Sequence, residues 1–157
     1  MKNLLLGALL TLAGLALALR SQAPSLMLPE QRSPHSVDET VRRLSESAKA
    51  SGWVVSSIAA LDESVAKHGG PKLRPVRLVN LCQAQHAGRI LGDDTARRVS
   101  VLMPCTISVY EKQDGSVWVA AMNPGLIAPL FGGVVDEVMA GPVAREQASF
   151  IAALNAK

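Results

Sequence analysis

Four side chains in this 157-residue sequence fall at spacings that could do chemistry: Cys82, His86, Met103 and Cys105. Cys82 and His86 are four apart, and on a helix starting at Cys82 they would share one face, one turn apart. A thiol at a helix N-terminus is stabilised as thiolate by the aligned peptide dipoles, which improves it as ligand and as nucleophile. Met103 and Cys105 are two apart, hence on one face of a strand unless Pro104 alters the pleat. Met122 is a weaker fifth member. Thiolate and thioether sulfurs are soft donors suited to Cu(I), and imidazole often joins them.

Several readings of this set stand side by side. Cys and Met are common core residues, and a Val/Met/Cys/Ile face is what any buried strand looks like. His86 alone would pass for a solvent-facing helix residue. A disulfide between Cys82 and Cys105 suits an exported chain. Its loop of about 24 residues would stabilise the domain by roughly 3 kcal/mol. A third reading is a copper or haem site, and a fourth is a reactive thiol pair. As an enzyme, the chain would be a thiol–disulfide or sulfur-transfer protein with Cys82 as nucleophile. No familiar catalytic signature supports any other reaction: Cys-x-x-Cys, a haem attachment motif, His-Glu-x-x-His and a phosphate-cradling glycine loop are all missing from the sequence. The expected class is therefore a binding or accessory domain rather than an enzyme, with a purely structural interaction module as the alternative.

The elements that must position these residues follow a compartment signal. Lys2 precedes an apolar run from Leu4 to Leu19, with small residues at Ala16 and Ala18 and then Arg20. This pattern fits a secretory signal peptide over residues 1–18, cut after Ala18. It also fits an uncleaved anchor, although a run of about 16 residues is short for a span and Arg20 would lie on the side where positive charge is usually unwelcome. Both place the folded part outside the cytoplasm, in the periplasm of a bacterium, with residues 4–19 as the tie to the inner membrane if they are retained. The net charge of +3 is spread over charges of both signs, which is no nucleic-acid footprint. Protein partners are left open, a homodimer among them.

Residues 19–35, with Pro24, Pro29 and Pro34, read as an extended linker. A single domain is expected over 36–157. Ser36-Val37-Asp38-Glu39 is a capping box, and Val37, Val41, Leu44 and Ala48 recur at helical spacing until Gly52. Strands are expected over Trp53–Ala60 and Pro75–Leu81, with a short helix capped by Asp62 between them and ending at Gly69-Gly70. A helix over Gln83–Leu91 follows. Val99–Tyr110 alternates as a strand, interrupted by Pro104. Asp114-Gly115 is a hairpin turn leading to Ser116–Met122. Asn123-Pro124 starts a helical region, broken at Pro129 and Gly132-Gly133, and Gly141-Pro142 opens the last helix. His35 falls in the linker, and His68 falls at a helix C-terminus where a cation suits the dipole. Trp53 and Trp118 read as strand packing. This element order is α+β.

The opening helix Ser36–Gly52, the turn Val109-Tyr110-Glu111-Lys112-Gln113-Asp114-Gly115 and the step Leu102-Met103-Pro104 resemble motifs of the domain of unknown function 302 family. The likeness covers roughly Ser33 to Gly133. It is strongest to a cysteine-containing branch with Leu81-Cys82 and Met103-Pro104-Cys105, and departs from the usual pattern at Gln83-Ala84. The resemblance implies a curved antiparallel sheet backed by helices, similar to the TATA-box-binding-protein fold. It implies no established activity, and fold likeness to a DNA binder transfers no function.

Overall fold

The computed structural model describes residues 20–155. The expectation for residues 1–18 lies outside that range. Strand β1 (Glu30–Ser33) leads into helix α1 (Val37–Ala50), β2 (Val54–Ala60), α2 (Leu61–Lys67), β3 (Val76–Cys82) and α3 (Ala84–Leu91). After the 3-10 segment Arg97–Leu102 come β4 (Cys105–Glu111) and β5 (Val117–Ala121). The chain ends through a short helix α4 (Pro124–Ile127), a wide π-type segment (Asp136–Val143) and α5 (Ala144–Ala152). The strands form one antiparallel sheet in the order β1-β5-β4-β3-β2.

The register sets which residues face inward. Val79 pairs with Ile107 and Leu81 with Cys105, while Ile107 pairs with Ala121 and Val109 with Val119. Since side chains alternate across a sheet, these share the face that the helices cover. Val79, Leu81, Ile107, Val109, Val119 and Ala121 are all buried there, against Leu44 and Ala48 of α1 and Phe150 of α5. The hairpin closes as its turn residues require: Gly115 has φ +80° and Lys112 N–H donates to Ser116 O at 2.9 Å.

Helix α1 starts as its capping box predicts, with Ser36 Oγ accepting from Glu39 N–H at 3.3 Å. Glu39 does not reach back to close the box. It pairs with Arg42 at 2.6 Å and Arg43 at 2.7 Å on the surface. Asn123 caps α4 with Pro124 at the first helical position.

Five expectations are corrected. Glu30–Ser33 is no part of an extended linker but an edge strand paired with β5, and residues 20–27 are helical. Ser33 is buried, where its hydroxyl meets Thr40 Oγ1 at 2.7 Å, so two small polar groups satisfy each other and tie β1 to α1. His35 is likewise held rather than free, its Nε2 3.0 Å from Leu154 O. The fourth strand begins at Cys105, because Val99 and Val101 lie in the 3-10 turn that ends before the cis Met103–Pro104 bond. Asp62 does not cap α2. It accepts from Val76 N–H at 3.1 Å and pairs with Arg77, which ties α2 to β3. Gly141-Pro142 kinks a continuing helical run instead of starting a new one.

Candidate functional site

Where β3 ends and β4 begins, α3 and the π-type segment leave a crevice of about 40 Å³. Its sulfur-bearing walls are Cys82, Cys105, Met103 and Met139. Trp53, Leu81, Ala87, Ile90 and Val143 supply hydrocarbon, and Gln83 and His86 stand at the polar side. Space of this size holds one or two water-sized bodies or a single ion.

Each sulfur arrives by a different route. Cys82 is the last residue of β3, and Gln83 caps α3 by accepting from His86 N–H at 2.9 Å. Cys82 therefore stands outside the helix, and its expected one-turn relation to His86 does not form. Cys105 is the first residue of β4, opposite Leu81. Met103 lies before Pro104 and outside any strand, yet it packs against the core and lines the crevice. Met139 comes from the π-type segment and is buried.

Both cysteines are free thiols. Burial, and secondarily the nearby Cys82, pushes the Cys105 thiol up to about 11, so it keeps its proton at neutral pH. The register places Cys82 one residue beyond the partner of Cys105.

His86 is engaged by a carboxylate across the crevice wall. Its Nε2 donates to Glu146 Oε2 at 3.2 Å, and the same oxygen accepts from Trp53 Nε1 at 2.6 Å. The carboxylate can only accept, so both ring nitrogens are donors. Trp53 stands edge-on to His86 at 6.0 Å and to Phe150 at 5.6 Å. Among the described residues, no three of His, Cys, Asp and Glu gather closely enough to hold a metal. The expected set of Cys82, His86, Met103 and Cys105 is thus brought to one crevice without forming a four-ligand shell. Met122 lies in a neighbouring groove with Met103 and Cys105, where its carbonyl accepts from Gln147 Nε2 at 2.9 Å.

Met139 and Glu146 escaped the sequence reading. Glu146 lies 93 residues from Trp53, and no local spacing links them. His68 is as expected, its Nδ1 2.7 Å from Ser64 O at the end of α2. Trp118 carries Lys112 Nζ 3.7 Å above its ring.

With the sheet and crevice described, relatives can be placed. A family model described as "Domain of unknown function DUF302" matches residues 30–154. The chain belongs to the DUF302 family. A solved structure of an uncharacterized conserved DUF302 protein from Bacillus stearothermophilus is similar, with a TM-score of 0.73 at 20% identity, covering 83% of this chain and 99% of that one. At that identity the likeness speaks for the fold alone, and it agrees with the α+β sheet backed by helices. No curated protein matches the chain. The family match begins at Glu30, where the structure begins the sheet. Among the described residues no helix is long and apolar enough to cross a membrane.

Proposed function

We propose that this DUF302 domain is an extracytoplasmic accessory domain that binds one soft monovalent metal ion, Cu(I), in the crevice. The observation that carries the reading is that four sulfur-bearing residues, Cys82, Cys105, Met103 and Met139, line one largely apolar crevice of about 40 Å³. Soft sulfur donors in a water-poor site select Cu(I) over harder cations. Two thiols and a thioether suffice, because a monovalent ion needs no third charged ligand. Binding displaces the thiol protons, so affinity rises with pH. His86 is not a ligand in this reading; Glu146 and Trp53 hold it as part of the wall.

Titration of Cu(I) against a competing chelator tests the proposal. The parent should take up one equivalent, and Cys105→Ser or Cys82→Ser should weaken binding by at least about 100-fold, on the scale of a lost metal ligand. Binding that survives both substitutions, or no uptake by the parent, leaves the four sulfurs as core packing. The compartment rests on Lys2, Leu4–Leu19 and the Ala16/Ala18 pair. Intact mass of the native protein should show either a start near Leu19 or the whole segment in the membrane fraction. Full-length chain in the soluble cytoplasm would refute it.

A further inference from the structure

Val101 and Leu130 are each 83% exposed, and Leu26, Met27, Leu28, Leu126 and Phe131 are exposed by 45–55%. Single apolar side chains on a surface are ordinary, but these gather at one end of the sheet. The register shows why. Glu30, which opens β1, pairs with Ala120 near the end of β5, and Ile107 near the start of β4 pairs with Ala121. The chain entering β1, the chain entering β4 and the chain leaving β5 therefore lie together. Asn123 joins the first to the third: its N–H donates to Met27 O at 2.9 Å and its Nδ2 to Leu26 O at 3.2 Å. Val101 and Met122 line one groove, which joins the second. Leu126 and Leu130 follow one turn apart in the helical run that starts at Pro124.

We propose that this end of the domain lies on the surface of an anionic phospholipid bilayer, with Val101, Leu130 and Phe131 entering the headgroup region. The docking requires residues 4–19 to be retained as the membrane tie. A lipid surface is the occupant because of where that apolar segment ends. It runs to Leu19, and the helix of residues 20–27 opens at Arg20. At 1.5 Å per residue, this helix takes the chain only about 10 Å from Arg20 to Met27. A segment held in the bilayer thus brings the apolar end of the sheet to the interface, where its exposed side chains leave water. Charge points the same way. Arg20 stands at the start of the helix, and Arg98 lines the same hollow as Phe131 and pairs with no carboxylate among the described residues. Asp93 in that hollow is engaged by Thr95. Cations at the rim of an apolar patch are what anionic headgroups attract.

The full chain reconstituted into vesicles of phosphatidylcholine with about one-third phosphatidylglycerol, with brominated acyl chains as quencher, tests this without copper. Phe131→Trp places a probe in the patch. Leu73→Trp places one on an exposed residue ahead of β3, at the opposite end of the sheet, about 20 Å away along the strands. Each is read as quenching beyond that of the parent, which shares Trp53 and Trp118. Quenching at 131 should be at least about threefold stronger than at 73, because an interfacial side chain reaches the acyl boundary. Adding Val101→Glu and Leu130→Glu should bring the 131 signal down to that at 73, while residues 4–19 keep the variant in the vesicles. Circular dichroism should confirm that the variants are folded, and if Phe131→Trp fails to fold, Leu126→Trp reads the same patch. A chain that floats with the vesicles but is quenched equally at both positions overturns the docking and leaves the tie standing. So does a 131 signal that survives both glutamates. A chain that does not float overturns tie and docking together.

Discussion

The β1–β5 side and the β2–β3 side of the sheet share one ladder and are secured in opposite ways. On the first, polar groups lock the chain. Ser33 meets Thr40, Gln31 Nε2 donates to Ile151 O at 3.3 Å, and Glu30 accepts from Lys112 at 2.8 Å and from Tyr110. On the second, cover is thin. Most of β2 is exposed, α2 buries no residue, and α3 buries only Ile90. What holds that side is apolar packing around the crevice, the carboxylate of Glu146 and the tie of Asp62 to Val76 and Arg77. Satisfied polar contacts fix a structure in one arrangement, whereas a thinly covered apolar flank is where a protein can open to admit an ion or a partner. The crevice proposed for copper lies on the thin side.

The comparison can be broken first at Glu146. Glu146→Ala leaves Trp53 N–H without its acceptor in a buried setting, and the variant should lose about 2–3 kcal/mol in denaturant unfolding. An effect near zero would mean that the carboxylate does not hold the thin flank.

Alkaline pH should act on the same flank. The Cys105 thiol is raised by burial, then by Cys82, from 9.0 to about 11. The folded state therefore keeps a proton that the unfolded chain releases. The resulting stability is fully present below pH ~9 and is lost as pH rises toward about 11, on the order of 2 kcal/mol. Cys105→Ser should flatten that decline. Alkylation of the folded parent should likewise stay slow at Cys105 until the same range.

The smallest effect belongs to the locked flank. Glu30 is held below its ordinary value by the hydrogen bond from Lys112, then by that from Tyr110. Its contribution is present above the usual carboxylate range and lost as pH falls through the lowered folded value. Because both partners of the ion pair are more than a third exposed, Lys112→Ala should change stability by only a few tenths of a kcal/mol. A change above about 1 kcal/mol would show that surface charge, and not Ser33 and Thr40, secures that side.

Local signals were legible in the sequence where one element decides its own conformation. Ser36 and Glu39 placed α1, Asp114-Gly115 placed the hairpin, and Asn123-Pro124 placed α4, because caps and turns are settled within a few residues. The elements that depend on distant partners were not legible. Glu30–Ser33 is a strand only because β5 presents an edge to it, and no alternation within four residues announces that. Val99–Met103 alternates like a strand, but it turns into a 3-10 segment ahead of Pro104. Of the site, the sequence supplied Cys82, His86, Met103 and Cys105. The helix that was to join Cys82 to His86 starts at Ala84, and Glu146 claims His86 instead. Met139 could not be foreseen, since a buried methionine in a helix has no mark to separate it from packing.

The most direct test of the metal site is X-ray absorption at the copper edge on protein loaded with one equivalent of Cu(I). Two or three sulfur neighbours at about 2.3 Å, with no imidazole scattering, is the predicted first shell, since thiolate–metal bonds have that length and His86 faces Glu146. A shell containing nitrogen, or one unchanged by Cys105→Ser, would contradict a sulfur-lined site in this crevice.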